Sequence, residues 1–286
     1  MHPELTQFKD WLNCQYPNSN TKKHYLSDLV LFFSWAEKPP SAIMPQDVDN
    51  YIMYCLSKGL SPLTINRRLS SFRTFYYFLS IVNDISIQNS VIPKRHFLRK
   101  PQPLPRDVNE ELINILFAHI DNPRDKAMFT LMLECGLRVG EIHNLSIEDV
   151  LLDNPPRLRI HGKGDKHRIA YLSPPAQETL NNWLISRPTF RSRAVFISKH
   201  GKRISVSGIQ FILKEYCCTA GIHLTCHQFR HAFGRRMAEA KLPVTTLQQL
   251  LGHHSPRTTQ RYVHLLNLFL REEYLRTIAR VMERLL

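Results

Sequence analysis

The feature that most limits how this chain can fold is a proline-studded stretch about a third of the way along it. Residues 88 to 105 hold Pro93, Pro101, Pro103 and Pro105, interleaved with Lys94, Arg95, His96, Arg99 and Lys100. Proline lacks an N–H and has a fixed φ, so this density predicts a stiff extended tether rather than helix or sheet. Such a tether splits the 286 residues into two parts, each long enough for its own core. The expected plan is a helical domain over 1–87, a basic linker over 88–105, a larger domain over 106–264 and a C-terminal helix over 265–286.

The first part reads as four helices. Leu5, Phe8, Trp11 and Leu12 form one apolar stripe, and Tyr25, Leu29, Phe32, Phe33 and Ala36 a second. Val48, Ile52, Cys55 and Leu56 form a third, with Asp47 as its N-cap. Ser61 and Pro62 open the fourth, which carries Ile65, Leu69, Phe72, Phe75, Tyr76 and Leu79. Its other face holds Arg67, Arg68 and Arg73, and the second helix brings Lys22 and Lys23. Spacing alone leaves these cations open to two readings, a solvated helix face or a surface for a polyanion.

The second part opens with a helix bearing Leu112, Ile113, Leu116 and Phe117. A second helix runs from near Pro123 to a break at Gly136. Residues 157–161 and 167–172 alternate as strands around Gly162-Lys163-Gly164-Asp165-Lys166, which predicts a hairpin. Helices resume near Pro175, and Val244 to Leu251 reads as a helix closed by Gly252. The fold class is therefore mainly α with a small antiparallel β-hairpin or sheet.

Charge narrows the partner. The net charge is +14, with +5 in residues 1–100 and +9 in the remainder, so both parts favour a polyanion, most often nucleic acid. No apolar run approaches the roughly 20 residues that span a bilayer. Met1-His2-Pro3-Glu4-Leu5 is not the start of a secretory leader. Cys14, Cys55, Cys135, Cys217, Cys218 and Cys226 form no C-x-x-C pair and read as reduced thiols, mostly buried. A zinc site would need Cys217, Cys218, Cys226 and His227, but adjacent cysteines point apart.

Chemistry concentrates in the second part. Arg138 follows the break at Gly136, where a new helix starts; helix N-termini and the arginine fork both suit phosphate. Glu141, three residues on, can hold that guanidinium. Lys163 sits at the hairpin tip, where it can reach a leaving 5′ oxygen, with Lys166 as a rival. His227 and Arg230 share a helix face; His231 and Arg235 lie nearby and can instead meet backbone or core. His253 follows Gly252, and Ser255-Pro256 starts a helix that puts Tyr262 about two turns in. A tyrosine with an ordinary pKa near 10 becomes a nucleophile only if its proton is taken locally and the phosphate is neutralised.

Taken together, these surroundings resemble the tyrosine recombinase (phage integrase) family, in its compact Xer-like or transposon-resolvase type. The residues that carry the resemblance are Gly136-Leu137-Arg138-Val139-Gly140-Glu141-Ile142, Gly162-Lys163-Gly164, His227-Gln228-Phe229-Arg230-His231, Leu251-Gly252-His253 and Thr258-Thr259-Gln260-Arg261-Tyr262-Val263-His264. The resemblance runs in motif detail from about 107 to 265 and loosely through the N-terminal helices, which are similar to that family's core-binding domain.

It implies a two-domain clamp on double-stranded DNA. Arg138, His227 and Arg230 would bind the phosphate, Lys163 would be the general acid, and His253 would fill the second histidine position. Tyr262 would form a 3′-phosphotyrosyl bond, while His254 and His264 would be dispensable. Lys22, Lys23, Arg67, Arg68, Arg73, Lys94, Arg95, Arg99 and Lys100 become the DNA-binding cations. No metal, ATP or other cofactor is implied.

The implied partners are a recombination site and further copies of the chain, a dimer per site and a tetramer in synapsis, with accessory proteins as a further possibility. The implied setting is prokaryotic, cytoplasmic and nucleoid-associated. Residues 265–286 read as an amphipathic helix that packs on its own domain or, as the resemblance favours, on a neighbouring protomer. Two other functions stay open at this point: a type IB topoisomerase and a non-catalytic DNA-binding protein.

Overall fold

The computed structural model describes residues 3–15, 21–82, 89–99, 109–162 and 167–252. The chain divides into two compact units, Met1–Pro103 and Leu104–Leu286. It is mainly helical with one small antiparallel sheet, as the periodicity requires.

The first unit holds α1 (Pro3–Gln15), α2 (Thr21–Ala36), α3 (Pro45–Ser57), α4 (Pro62–Val82) and α5 (Pro93–His96). Its core is aromatic: Phe8 lies 5.2 Å from Phe75, and Phe32 lies 4.4 Å from Phe72, centroid to centroid. Such rings bury large areas on few rotatable bonds, which suits a small helical core. Ser61 caps α4 by accepting from the Thr64 N–H at 3.3 Å.

Two expectations change here. Asp47 is not the cap of α3. That place belongs to Met44, with Pro45 next, and the Asp47 carboxylate reaches back to accept from the Met44 N–H at 2.8 Å. Nor are residues 89–99 an extended tether. Val91 and His96 are buried, and Pro93 sets the first turn of α5, where its missing N–H costs nothing. Asn66 then clamps the strap, donating to the Leu98 carbonyl at 2.8 Å and accepting from its N–H at 2.9 Å.

In the second unit, α6 (Glu110–Ala118) and α7 (Pro123–Glu134) begin on Asn109 and Asn122, whose side chains accept from the next free N–H groups. Helix α7 is apolar nearly all round, from Ala127 to Leu133, and so lies at the centre of the core. With it in the core lie α8 (Val139–Asn144), α9 (Pro174–Ser186), α10 (Val206–Thr219) and α11 (Cys226–Glu239), while α12 (Val244–Leu251) packs on α11 and β3. The predicted hairpin is β2 (Arg157–His161) with β3 (His167–Tyr171), paired Ile160 to Arg168 and Leu158 to Ala170. A third strand, β1 (Val150–Leu151), is too short to show a period. The hairpin tip with Lys163 and Lys166, and everything from His253 on, lie outside the described residues.

Candidate active site

Helix α7 stops at Cys135, and Gly136 turns the chain with φ +62°. A Cβ there would stand 2.5 Å from the Phe233 ring, so this turn takes glycine on both conformational and steric grounds. Two residues later Arg138 is the N-cap of α8. Its backbone N–H donates to Glu141 Oε2 at 2.8 Å and its Nη1 to Oε1 at 2.9 Å. The sequence reading of Glu141 as the brace of Arg138 is thus what the geometry shows.

Helix α11 supplies the second arginine. Phe229 stacks on Phe129 at 5.6 Å, and Arg236 bonds Glu110 and Glu134 at 2.6 and 2.9 Å, fixing α11 on α6 and α7. Arg230 is consequently buried. Its Nη1 donates to the Gly136 carbonyl at 2.5 Å and lies 3.9 Å from Glu141, while Nη2 donates to the Leu251 carbonyl. His227 is exposed on the same helix, its ring 4.3 Å from that of His231.

A third arginine was not anticipated. Arg168 lies on the inward face of β3 with Ala170, opposite Ile160. Its Nη2 donates to Glu141 Oε2 and its Nη1 to the Leu250 carbonyl, at 2.8 and 2.7 Å. Strand alternation holds the clue: an arginine in register with inward apolar residues must find a buried acceptor.

Glu141 is therefore a buried carboxylate in contact with three guanidinium groups from three elements. Burial works against its charge, but Arg168, the Arg138 backbone and side chain, and Arg230 outweigh it and hold its carboxyl below the usual range. The same three arginines also take successive carbonyls at the end of α12: Arg168 that of Leu250, Arg230 that of Leu251, and Arg138 that of Gly252 at 3.1 Å. Cations at a helix C-terminus satisfy its orphan acceptors and oppose its dipole. Gly252, with φ +58°, ends α12 as read from the sequence. The structure thus brings Arg138 and Arg230 together, with His227 on the helix of the latter. Lys163, His253 and Tyr262 lie outside the described residues.

The other candidate cations vary in setting. Lys23, Arg73, Lys94 and Arg99 are exposed, and Lys22 donates to Asn13 at 3.1 Å. Arg67 is half exposed and bonds the buried Asp28. Arg68 is turned inward, with Nη1 on the Tyr51 hydroxyl at 2.8 Å and Cys55 Sγ at 3.6 Å. Arg95 bonds Asp49 at 3.0 Å through Nε, and Lys100 lies outside the described residues. As a metal centre the cysteine group is poor. Cys217 and Cys226 are buried while the neighbouring Cys218 is exposed, and burial raises the Cys226 thiol to about 11. Among the described residues no helix is long and apolar enough to cross a membrane.

A helical unit is thus followed by a mixed unit in which three arginines from separate elements meet on one carboxylate. The sequence signature of the Phage integrase family matches residues 103–268, and that of the phage integrase N-terminal SAM-like domain matches residues 5–81. The chain belongs to this family, and it is a tyrosine site-specific recombinase. It is 32% identical to tyrosine recombinase XerD of Lacticaseibacillus casei, over 98% of this chain and 100% of that protein. It is 30% identical to tyrosine recombinase XerC of Staphylococcus carnosus, over 90% of each. In fold it resembles the XerH site-specific recombinase bound to a palindromic difH substrate in a post-cleavage complex, with TM-score 0.75 and 21% identity over 88% of this chain and 78% of that one.

Proposed function

We propose that the protein breaks and rejoins double-stranded DNA at a specific site through a 3′-phosphotyrosyl intermediate on Tyr262. The observation that carries this reading is the fixed position of Arg138 and Arg230, two phosphate-binding candidates 92 residues apart in the chain, against the same carboxylate. Glu141 neutralises part of their mutual repulsion and aligns both forks before substrate arrives. The exposed edge of Arg138 meets a phosphate oxygen first. Arg230, held on Glu141 beside it, presents the second guanidinium to the phosphate.

His227 donates to the same phosphate, and His253 completes the group. Tyr262 attacks phosphorus, its proton passing to a neighbouring base, and the 5′ oxygen departs with a proton from Lys163. A 5′-hydroxyl of the partner strand then attacks the phosphotyrosine and releases Tyr262. Phosphodiester energy is conserved throughout, so ATP is not needed, and side-chain cations take the role that metals play elsewhere.

Lys22, Lys23, Arg67, Arg73, Lys94, Arg95, Arg99 and Lys100 are assigned to the DNA backbone, whereas Arg68, turned inward on Tyr51 and Cys55, serves the fold, in a plan of a 1–87 domain, an 88–105 linker and a 106–264 domain. Protomers act as a dimer on one site and a tetramer in synapsis, coupled by residues 265–286. The reading places the protein in the bacterial cytoplasm at the nucleoid, in integration, excision or resolution of mobile DNA or replicon dimers, with or without accessory proteins.

The test is covalent capture. Labelled nicked duplexes tiled from the DNA flanking the gene are incubated with protein in EDTA and resolved on a denaturing gel. A slow adduct that vanishes with Tyr262→Phe is expected. Tight binding without an adduct would favour a DNA-binding role, and relaxation without strand exchange would favour topoisomerase chemistry. Truncation before Phe269 is expected to spare binding and weaken cooperative assembly in a gel-shift titration.

A further inference from the structure

We infer that Arg168 is a positioning residue that locks the strand after the Lys163 hairpin to the C-terminal end of α12, and through it sets where the chain leading to His253 and Tyr262 begins. The inference rests on the proposed roles of Lys163, His253 and Tyr262 for its catalytic consequence, though not for the lock itself.

Both terminal nitrogens of Arg168 are bonded within the protein. Nη2 is on Glu141 at 2.8 Å and Nη1 on the Leu250 carbonyl at 2.7 Å. Nε is buried and has no hydrogen-bond partner among the described residues, and only 14% of the side chain is exposed. Its two bonded nitrogens both serve contacts within the protein, whereas Arg138 keeps 43% of its side chain exposed.

The contact is also a steric fit. A Cβ on Gly252 would lie 2.9 Å from Arg168 Cδ and 3.1 Å from Nε. The absence of a side chain at Gly252 therefore lets the arginine pass beneath the turn that ends α12. Arg168 is joined to Leu250, 82 positions away, and the two ends stand five residues after Lys163 and three before His253. Catalytic groups far apart in the chain need a rigid link to share one phosphate, and no other side chain among the described residues bonds both Glu141 and Leu250. Lysine cannot replace it, because one ammonium cannot span two acceptors in the plane of a fork.

The test uses the full-length protein with Arg168→Met and Arg168→Lys. Hydrogen exchange is first measured without DNA. Faster exchange in peptides covering α12 and Gly252, with α7 protected as in the wild type, is expected for Arg168→Met. Unchanged exchange at α12 would overturn the lock whatever the protein does to DNA. Single-turnover cleavage is then measured at saturating protein on nicked duplexes. Displacement of catalytic groups by about 1 Å typically costs about 10²-fold in rate, and a loss of that order is expected for Arg168→Met at unchanged DNA affinity. Arg168→Lys should fall between it and wild type.

A third arm places a neutral methylphosphonate at the scissile position. Loss of a phosphate-binding arginine is partly offset there, because less charge needs neutralising. Cleavage by Arg168→Met should stay low, and restoration to the wild-type rate would mark Arg168 as a direct phosphate ligand and overturn the proposal. Wild-type cleavage with a fully active Arg168→Met would also overturn it. A wild type that forms no adduct would instead sink the phosphotyrosine reading, leaving the exchange result to decide the lock.

Discussion

Each unit of the molecule is tied by arginines on one buried carboxylate, and the two ties do different work. In the first unit Asp28 on α2 accepts from Arg67 and, at 2.8 Å, from Ser71, with Arg68 4.0 Å away; all three partners stand on α4. In the second unit Glu141 gathers Arg138 from its own N-cap, Arg168 from β3 and Arg230 from α11. The Asp28 tie repeats what the aromatic core beside it already achieves, the pairing of two helices. The Glu141 tie joins three elements that also share the apolar core, and each arginine in addition grips a carbonyl at the end of α12. A carboxylate can thus serve as a strut or as a template, and the number of elements it gathers decides which.

The largest expected break follows from that difference. Glu141→Ala strands buried Arg230 and half-buried Arg168 without their counter-ion, a change that typically costs about 3–5 kcal/mol. Asp28→Ala leaves Arg67, whose side chain is 43% exposed, free to hydrate, and is expected to cost about 1–3 kcal/mol. Urea denaturation of both variants checks the order, and equal losses would erase the distinction. Glycines sharpen it at the next level. Gly59 and Gly136 both have positive φ, but a Cβ on Gly59 meets open space, whereas one on Gly136 meets Phe233 at 2.5 Å. Gly59→Ala should cost about 1–2 kcal/mol of backbone strain alone. Gly136→Ala should add about 1–3 kcal/mol of overpacking, displacing the carbonyl that receives Arg230.

Acid probes the Glu141 tie more gently. The folded-state pKa of Glu141 is depressed below its ordinary 4.5 by Arg168, Arg138 and Arg230 acting against burial. Its contribution to stability is therefore present above pH 4.5 and lost as pH falls through the lower folded value. Midpoints of thermal unfolding measured from pH 7 down to 3 should fall less steeply in Glu141→Gln than in wild type. An unchanged slope would mean that the carboxylate titrates alike folded and unfolded.

How much of this was legible in the sequence depended on whether the signal was local. The stripes of α1 to α4, the Ser61 cap and the Gly252 terminus repeat or punctuate within a few residues, so period and turn chemistry were enough. Glu141 beside Arg138 was legible because three residues make one helical turn. Arg168 was not singled out, since its acceptors lie 27 and 82 residues away and a strand arginine is usually solvated. The strap at 89–99 misled for a related reason. Proline density describes the backbone, while Val91, His96 and the Asn66 clamp on Leu98 depend on a groove that exists only once α3 and α4 have packed.

The finest test asks whether the first unit's cations touch DNA or serve its fold. Each cation that neutralises a phosphate releases a counter-ion, so removing it should lower the slope of log affinity against log salt by about 0.9. Arg73 and Lys23 are exposed on α4 and α2, and their alanine variants should each lose about that much slope with little change in stability. Arg68 is held on Tyr51 and Cys55, and its permanent charge is favoured there despite burial. Arg68→Ala should instead lower the unfolding midpoint and leave the salt slope nearly intact. Fluorescence anisotropy across a salt series reads the slope directly. A full loss of slope in Arg68→Ala would mean that the inward arginine turns out to meet the backbone when DNA binds. The first unit's carboxylate tie would then resemble the second's, holding cations in store for phosphate rather than only pairing helices.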